Sequence, residues 1–125
     1  MAIVRTREKA HKPCAAALKT LRAPLLTCWP VLTEAAWLLR DEPGGIKAIG
    51  GLIESGVVKL VELDETALAW IIAFMERYAS TGAQMADAAL MYLAEREGID
   101  TVFTLDRRDF SIYRTTDGRT LDIVP

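Results

Sequence analysis

Apolar and polar positions along the chain alternate between two periodicities. Residues 14–21 are strong helix formers and end at Ala23-Pro24. Leu25-Leu26-Thr27-Cys28-Trp29 is a short apolar run of the kind a buried strand uses. Pro30 then opens a helix where its missing N–H costs nothing, and Val31, Leu32, Ala35, Trp37 and Leu38 recur at helical spacing up to Pro43-Gly44-Gly45. Ile46, Ile49, Leu52 and Ile53 predict a second amphipathic helix, weakened by Gly50-Gly51 and closed by Gly56.

The second half repeats this order. Val57–Leu63 is β-branched and partly alternating, a strand. Asp64 stands at an N-cap position ahead of a helix through Leu68, Ile71, Ile72 and Met75. Thr81 and Gln84 have capping-box spacing before a helix from about residue 83 to Glu97, stopped by Gly98. Thr101–Leu105 is a strand ending at Asp106, and Thr120–Val124 is a last strand after the Asp117-Gly118 turn. Strands separated by helices predict an α/β fold, a three-layer sandwich around a mainly parallel sheet. Ligands of such sheets bind at the carboxyl ends of the strands.

A chain of 125 residues is one domain, 1–125. With 51% hydrophobic and 26% charged residues it has globular composition. No apolar run reaches the roughly 18 residues of a membrane span, and the basic leader lacks a signal peptide's apolar segment. Cys14 and Cys28 have no metal-ligand or disulfide-framework spacing and read as small apolar groups. These features predict a cytoplasmic protein. Arg5, Arg7, Lys9, Lys12, Lys19 and Arg22 make the start basic against an acidic remainder, which suits either a nucleic-acid contact or a solvated helix face.

Three acids stand out against this pattern. Glu34 has Val31, Trp37 and Leu38 as helical neighbours, Asp87 has Ala83, Leu90 and Met91, and Asp106 ends a strand. All fall on one edge of the expected sheet, and neither Glu34 nor Asp87 has a cation at helical spacing. An ionised carboxylate facing a core is costly unless it is paired or ligates a metal. Uncompensated carboxylates are hard-oxygen ligands for Mg²⁺ or Mn²⁺. Each acid taken singly reads equally as a rim residue or a helix-end charge.

Trp29-Pro30-Val31-Leu32-Thr33-Glu34-Ala35-Ala36, Ala86-Asp87-Ala88-Ala89-Leu90 and Phe103-Thr104-Leu105-Asp106-Arg107-Arg108-Asp109-Phe110 resemble the PIN-domain family, and within it the VapC-type toxins, over residues 11–125. The resemblance implies a metal-dependent endoribonuclease, the toxin of a type II toxin–antitoxin pair. Its partners would be an RNA substrate, a cognate antitoxin and a second copy in a homodimer. It places Glu34, Asp87 and Asp106 as ligands of Mg²⁺ or Mn²⁺, with Asp109 beside them as a further catalytic acid. Thr104 could position a water, or be an ordinary strand residue; Arg107 and Arg108 could hold flanking phosphates, or be solvated. His11 has no partner at a useful spacing.

The family's first, central strand, which ends in an aspartate, has no counterpart here, since Met1–Thr6 contains no acid. The expected fold is therefore PIN-like but truncated at that strand, with activity impaired. Either the flanking strands pair directly or Ala2-Ile3-Val4 supplies a stub. Two origins stay open, a start further upstream or a decayed gene. The alternative reading is a catalytically inactive PIN-like protein that binds an antitoxin or itself. A phosphate-binding α/β domain of another kind lacks its glycine-rich loop, since Gly44-Gly45 and Gly50-Gly51 fit neither pattern.

Overall fold

The structure is a computed structural model that describes residues 24–104 and 107–124. Its elements follow the predicted alternation. Strand β1 (Leu25–Thr27) leads into helix α1 (Trp29–Leu38), followed by α2 (Gly45–Glu54), β2 (Val58–Leu60) and α3 (Glu65–Arg77). A single 3₁₀ turn over Ala79–Thr81 precedes α4 (Met85–Glu97), β3 (Thr101–Phe103), α5 (Arg107–Ile112) and β4 (Asp122–Val124). The mixed α/β class and the parallel strands agree with the sequence. No helix among the described residues is long and apolar enough to cross a membrane.

The strands are shorter than the apolar runs that announce them. Trp29 belongs to the first turn of α1 rather than to β1, because Pro30 beside it has a helical φ already set. Val61, Glu62 and Leu63 lie beyond β2, and Thr120 and Leu121 lie before β4. The capping box expected from Thr81 and Gln84 does not form. Thr81 is spent in the 3₁₀ turn, Gly82 turns left-handed at φ 75°, and Gln84 precedes the helix without a side-chain cap. Helix α5 is not expected from the sequence, because its six residues carry too little apolar periodicity to announce it. Asp64, by contrast, caps α3 as expected: its carboxylate accepts the Thr66 N–H at 3.0 Å.

Pairing is parallel and local. β1 pairs with β2 in the register Leu25 to Val58, and β3 pairs with β4 in the register Thr101 to Asp122. Among the described residues these are two separate two-stranded sheets, so β1 and β3 do not pair directly. The expected sheet is present as two halves. The expected loss of the first strand, the Ala2-Ile3-Val4 stub and the 14–21 helix all fall outside the described residues.

Helix α4 is the hub of the core. It packs against α1 and α3 and fully buries Ala88, Ala89 and Met91. Around it gather Val31, Ile71, Phe74, Val102, Phe110 and Tyr113. Alanines on α4 let its neighbours approach closely, and the aromatic rings of Phe74, Tyr78, Phe110 and Tyr113 fill the remainder in tilted and edge-to-face pairs with centroids 4.6–5.2 Å apart. A smaller cluster of Leu32, Ala35, Leu39 and Ile49 joins α1 to α2.

Candidate functional site

Helices α1 and α4 lie against one another through Cys28, Val31 and the alanines of α4, and each carries one of the singled-out acids. Glu34 is half-buried midway along α1, at the border of its buried stripe of Val31, Leu32 and Ala35. Asp87 is half-buried in the first turn of α4, where its charge also meets the positive end of the helix dipole.

Asp87 is anchored from across the fold. The phenol of Tyr113, itself fully buried, donates to Asp87 Oδ2 at 3.0 Å. Tyr113 follows α5, and its N–H donates to the Asp109 carbonyl at 3.1 Å. The phenol of Tyr78 accepts the neighbouring Arg114 N–H at 3.0 Å. Two tyrosines thus tie the segment after α5 to α3 and α4. Neither was singled out from the sequence; the available signal is that Phe110 and Tyr113 stand three apart on one helical face, next to the acids at 106 and 109.

Asp109 is half-buried in the first turn of α5. Asp106, the residue just before α5, lies outside the described residues. Thr104 is fully buried and its N–H donates to the Val124 carbonyl at 2.8 Å, which closes the β3–β4 ladder. Arg107 and Arg108 are exposed at the start of α5. Cys28 is fully buried, and burial raises its thiol pKa, in keeping with an inert apolar role. His11 and Cys14 lie outside the described residues.

Among the described residues, no three carboxylate, histidine or cysteine side chains gather closely enough to hold a metal ion. Glu34, Asp87 and Asp109 therefore do not make a cation site by themselves. What the geometry provides is a half-buried carboxylate in the first turn of α4, oriented by a buried phenol.

Beside this seam the surface is apolar. Trp29 and Ile46 border a groove between α1 and α2 that is floored by Leu32, Ala36, Ile49 and Ile53. Trp29 and Trp37 are each 64% exposed and Ile46 51%. Stacking of the Arg40 guanidinium on the Trp37 ring, 3.8 Å from its centroid, keeps that indole partly covered.

The family model of the PIN domain matches residues 1–115, nearly the whole chain. No curated protein matches it.

Proposed function

The chain belongs to the PIN-domain family, and from that premise we propose that it is an endoribonuclease of the VapC type, the toxin half of a type II toxin–antitoxin pair. Membership gives the coarse reading, since PIN domains are in general nucleases that use divalent metals. The observation that carries the finer reading is the Asp87 carboxylate, half-buried at the head of α4 and held by the Tyr113 phenol. A carboxylate fixed in this way has its rotamer chosen before any ligand arrives, which is what positioned chemistry requires.

In this reading Asp87, together with Asp106, which follows β3 by three residues in the sequence, and with Glu34 and Asp109, would hold Mg²⁺ or Mn²⁺. The described acids alone do not complete the set, so the assignment rests on Asp106 joining them. When bound, the ion would supply Lewis acidity toward a phosphodiester and its attacking water. The protein's part is to orient the acids. Tyr113 holds Asp87, the turn into α5 presents Asp109, and Arg107 and Arg108 stand exposed where phosphates flanking the scissile bond would pass. The test is RNA cleavage by the purified chain with Mg²⁺ or Mn²⁺. The reading requires that Asp87→Asn abolish it while leaving the fold intact.

A second reading has its own observation in its favour. The exposed apolar groove between α1 and α2 suits capture of an antitoxin or of a second copy without cleavage. Growth arrest on expressing the chain without antitoxin would count against an inactive protein. Stable binding with no RNA cleavage under any divalent metal would favour it.

A further inference from the structure

Where the Tyr113 phenol sits on Asp87 depends on the Tyr113 main chain, and that main chain is bonded on both sides. The Tyr113 N–H donates to the Asp109 carbonyl at 3.1 Å, and the Ile112 carbonyl of the same peptide group accepts from Arg114 Nη1 at 2.9 Å. In the next peptide group the Tyr113 carbonyl accepts from Arg114 Nη1 at 3.2 Å, and the Arg114 N–H donates to the Tyr78 phenol at 3.0 Å. All four polar atoms of the two peptide groups flanking Tyr113 are engaged. Each peptide group is planar, so holding both fixes φ and ψ at Tyr113 and with them the direction of its Cα–Cβ bond. Edge-to-face contacts with Phe74, Tyr78 and Phe110 then hold the ring.

The Arg114 guanidinium makes two of those four bonds, and a third to the Ser111 carbonyl at 2.8 Å. These carbonyls lie at the C-terminal end of α5, where a helix leaves its last acceptors without partners in the helix itself. A cation is favoured there, both as a donor to those oxygens and against the negative end of the helix. Arg114 is half-buried, and no carboxylate among the described residues forms an ion pair with it. Arginines of an RNA-binding surface commonly reach for phosphates. Arg107 and Arg108 are exposed and available for that, whereas Arg114 turns its Nη1 back onto its own main chain.

We infer that Arg114 is a positioning residue: by locking the main chain on either side of Tyr113, it sets the phenol that orients the Asp87 carboxylate. It acts through Tyr113 and touches neither substrate nor metal. Its effect on cleavage rests on the nuclease reading, while its coupling to Tyr113 rests on the bonds alone. Without the guanidinium the ring keeps its packing, but the peptide groups beside it are released and the phenol loses its fixed approach to Asp87. A loss of that kind falls on kcat, because RNA binding does not pass through Arg114.

Urea unfolding of the metal-free chain tests the coupling by a double-mutant cycle. Tyr113→Phe should lower the unfolding midpoint of the parent, and should lower that of Arg114→Met by less than half as much, because the bond it removes is already loosened. Steady-state RNA cleavage with Mn²⁺ tests the role. Arg114→Met should lower kcat about 10–100-fold, keep KM within about twofold, and add little to the loss caused by Tyr113→Phe. Arg114→Lys keeps a cationic donor and should recover part of kcat. Tyr78→Phe, which removes only the acceptor of the Arg114 N–H, should lower kcat in the same direction, and it keeps the test open if Arg114→Met does not fold. Additive midpoint shifts, a KM that rises at constant kcat, as a phosphate contact would give, or kcat losses that multiply in the double variant each overturn the inference. A parent chain that cleaves no RNA contradicts the nuclease reading, and the unfolding cycle then decides the inference by itself.

Discussion

The phenol of Tyr113 donates to Asp87 Oδ2 at 3.0 Å, and the two residues come from segments 26 positions apart, one after α5 and one in the first turn of α4. The bond fixes a carboxylate on one helix by a ring buried among Phe74, Tyr78 and Phe110. Tyr113→Phe keeps the ring and removes the donor. We expect a stability loss of about 1–3 kcal/mol, since the bond is to a charged acceptor. RNA cleavage should fall about 10–100-fold, the usual effect of losing a group that orients an active-site ligand. Denaturant unfolding and cleavage rates check the two effects separately.

Helix α3 starts at Asp64, whose carboxylate accepts both the N–H and the hydroxyl of Thr66. Those two bonds lower the Asp64 pKa. Asp64→Ala should destabilise the protein and lower its melting temperature, because the N-cap is lost. A carboxyl with a lowered folded pKa stabilises the fold above its unfolded value, about 3.9, and loses that contribution as pH falls through the folded one. The difference in melting temperature between parent and Asp64→Ala should therefore be full at pH 7 and shrink below about pH 4.

Glu95 stitches α4 to the turn before β4. Its carboxylate accepts the Thr116 N–H and hydroxyl, the latter at 2.8 Å, and the Trp70 indole N–H at 3.0 Å. Burial pushes its pKa up, but the Thr116 and Trp70 bonds outweigh that and the net shift is downward. Glu95→Gln should cost about 1–2 kcal/mol at neutral pH, because an amide oxygen accepts more weakly than a carboxylate. In the parent chain this contribution is present above the unfolded pKa of about 4.3 and fades as pH falls through the lower folded value. Chemical denaturation of both proteins at pH 7 and pH 3 should show the gap closing.

Met91 is fully buried in α4 at the centre of the main core. Met91→Ala should cost about 2–5 kcal/mol in urea unfolding. Trp37→Ala, on a ring that is 64% exposed, should cost well under that. The contrast tests whether α4, rather than the α1–α2 surface, carries the stability.

The sequence made the helices legible because each has local punctuation. Asp64 caps α3, Pro30 opens α1, and Gly98 closes α4 at φ 66°. Strand lengths were not legible, because apolar runs such as Val57–Leu63 do not say where parallel pairing stops, and that limit depends on a partner distant in sequence. Helix α5 was missed because six residues carry too little periodicity. The acids at 34 and 87 were legible as misplaced charges, and both prove half-buried. Tyr113 was not, because its partner lies across the fold and no local spacing reports a bond of that kind.

The measurement that bears most directly on the nuclease reading is cleavage of RNA by the purified chain, with Mg²⁺ or Mn²⁺ and then with EDTA, beside Asp87→Asn of matched far-UV circular dichroism. The account predicts metal-dependent cleavage that EDTA stops and Asp87→Asn lacks. Cleavage of equal rate in Asp87→Asn, or none in the parent chain with either metal, would contradict it.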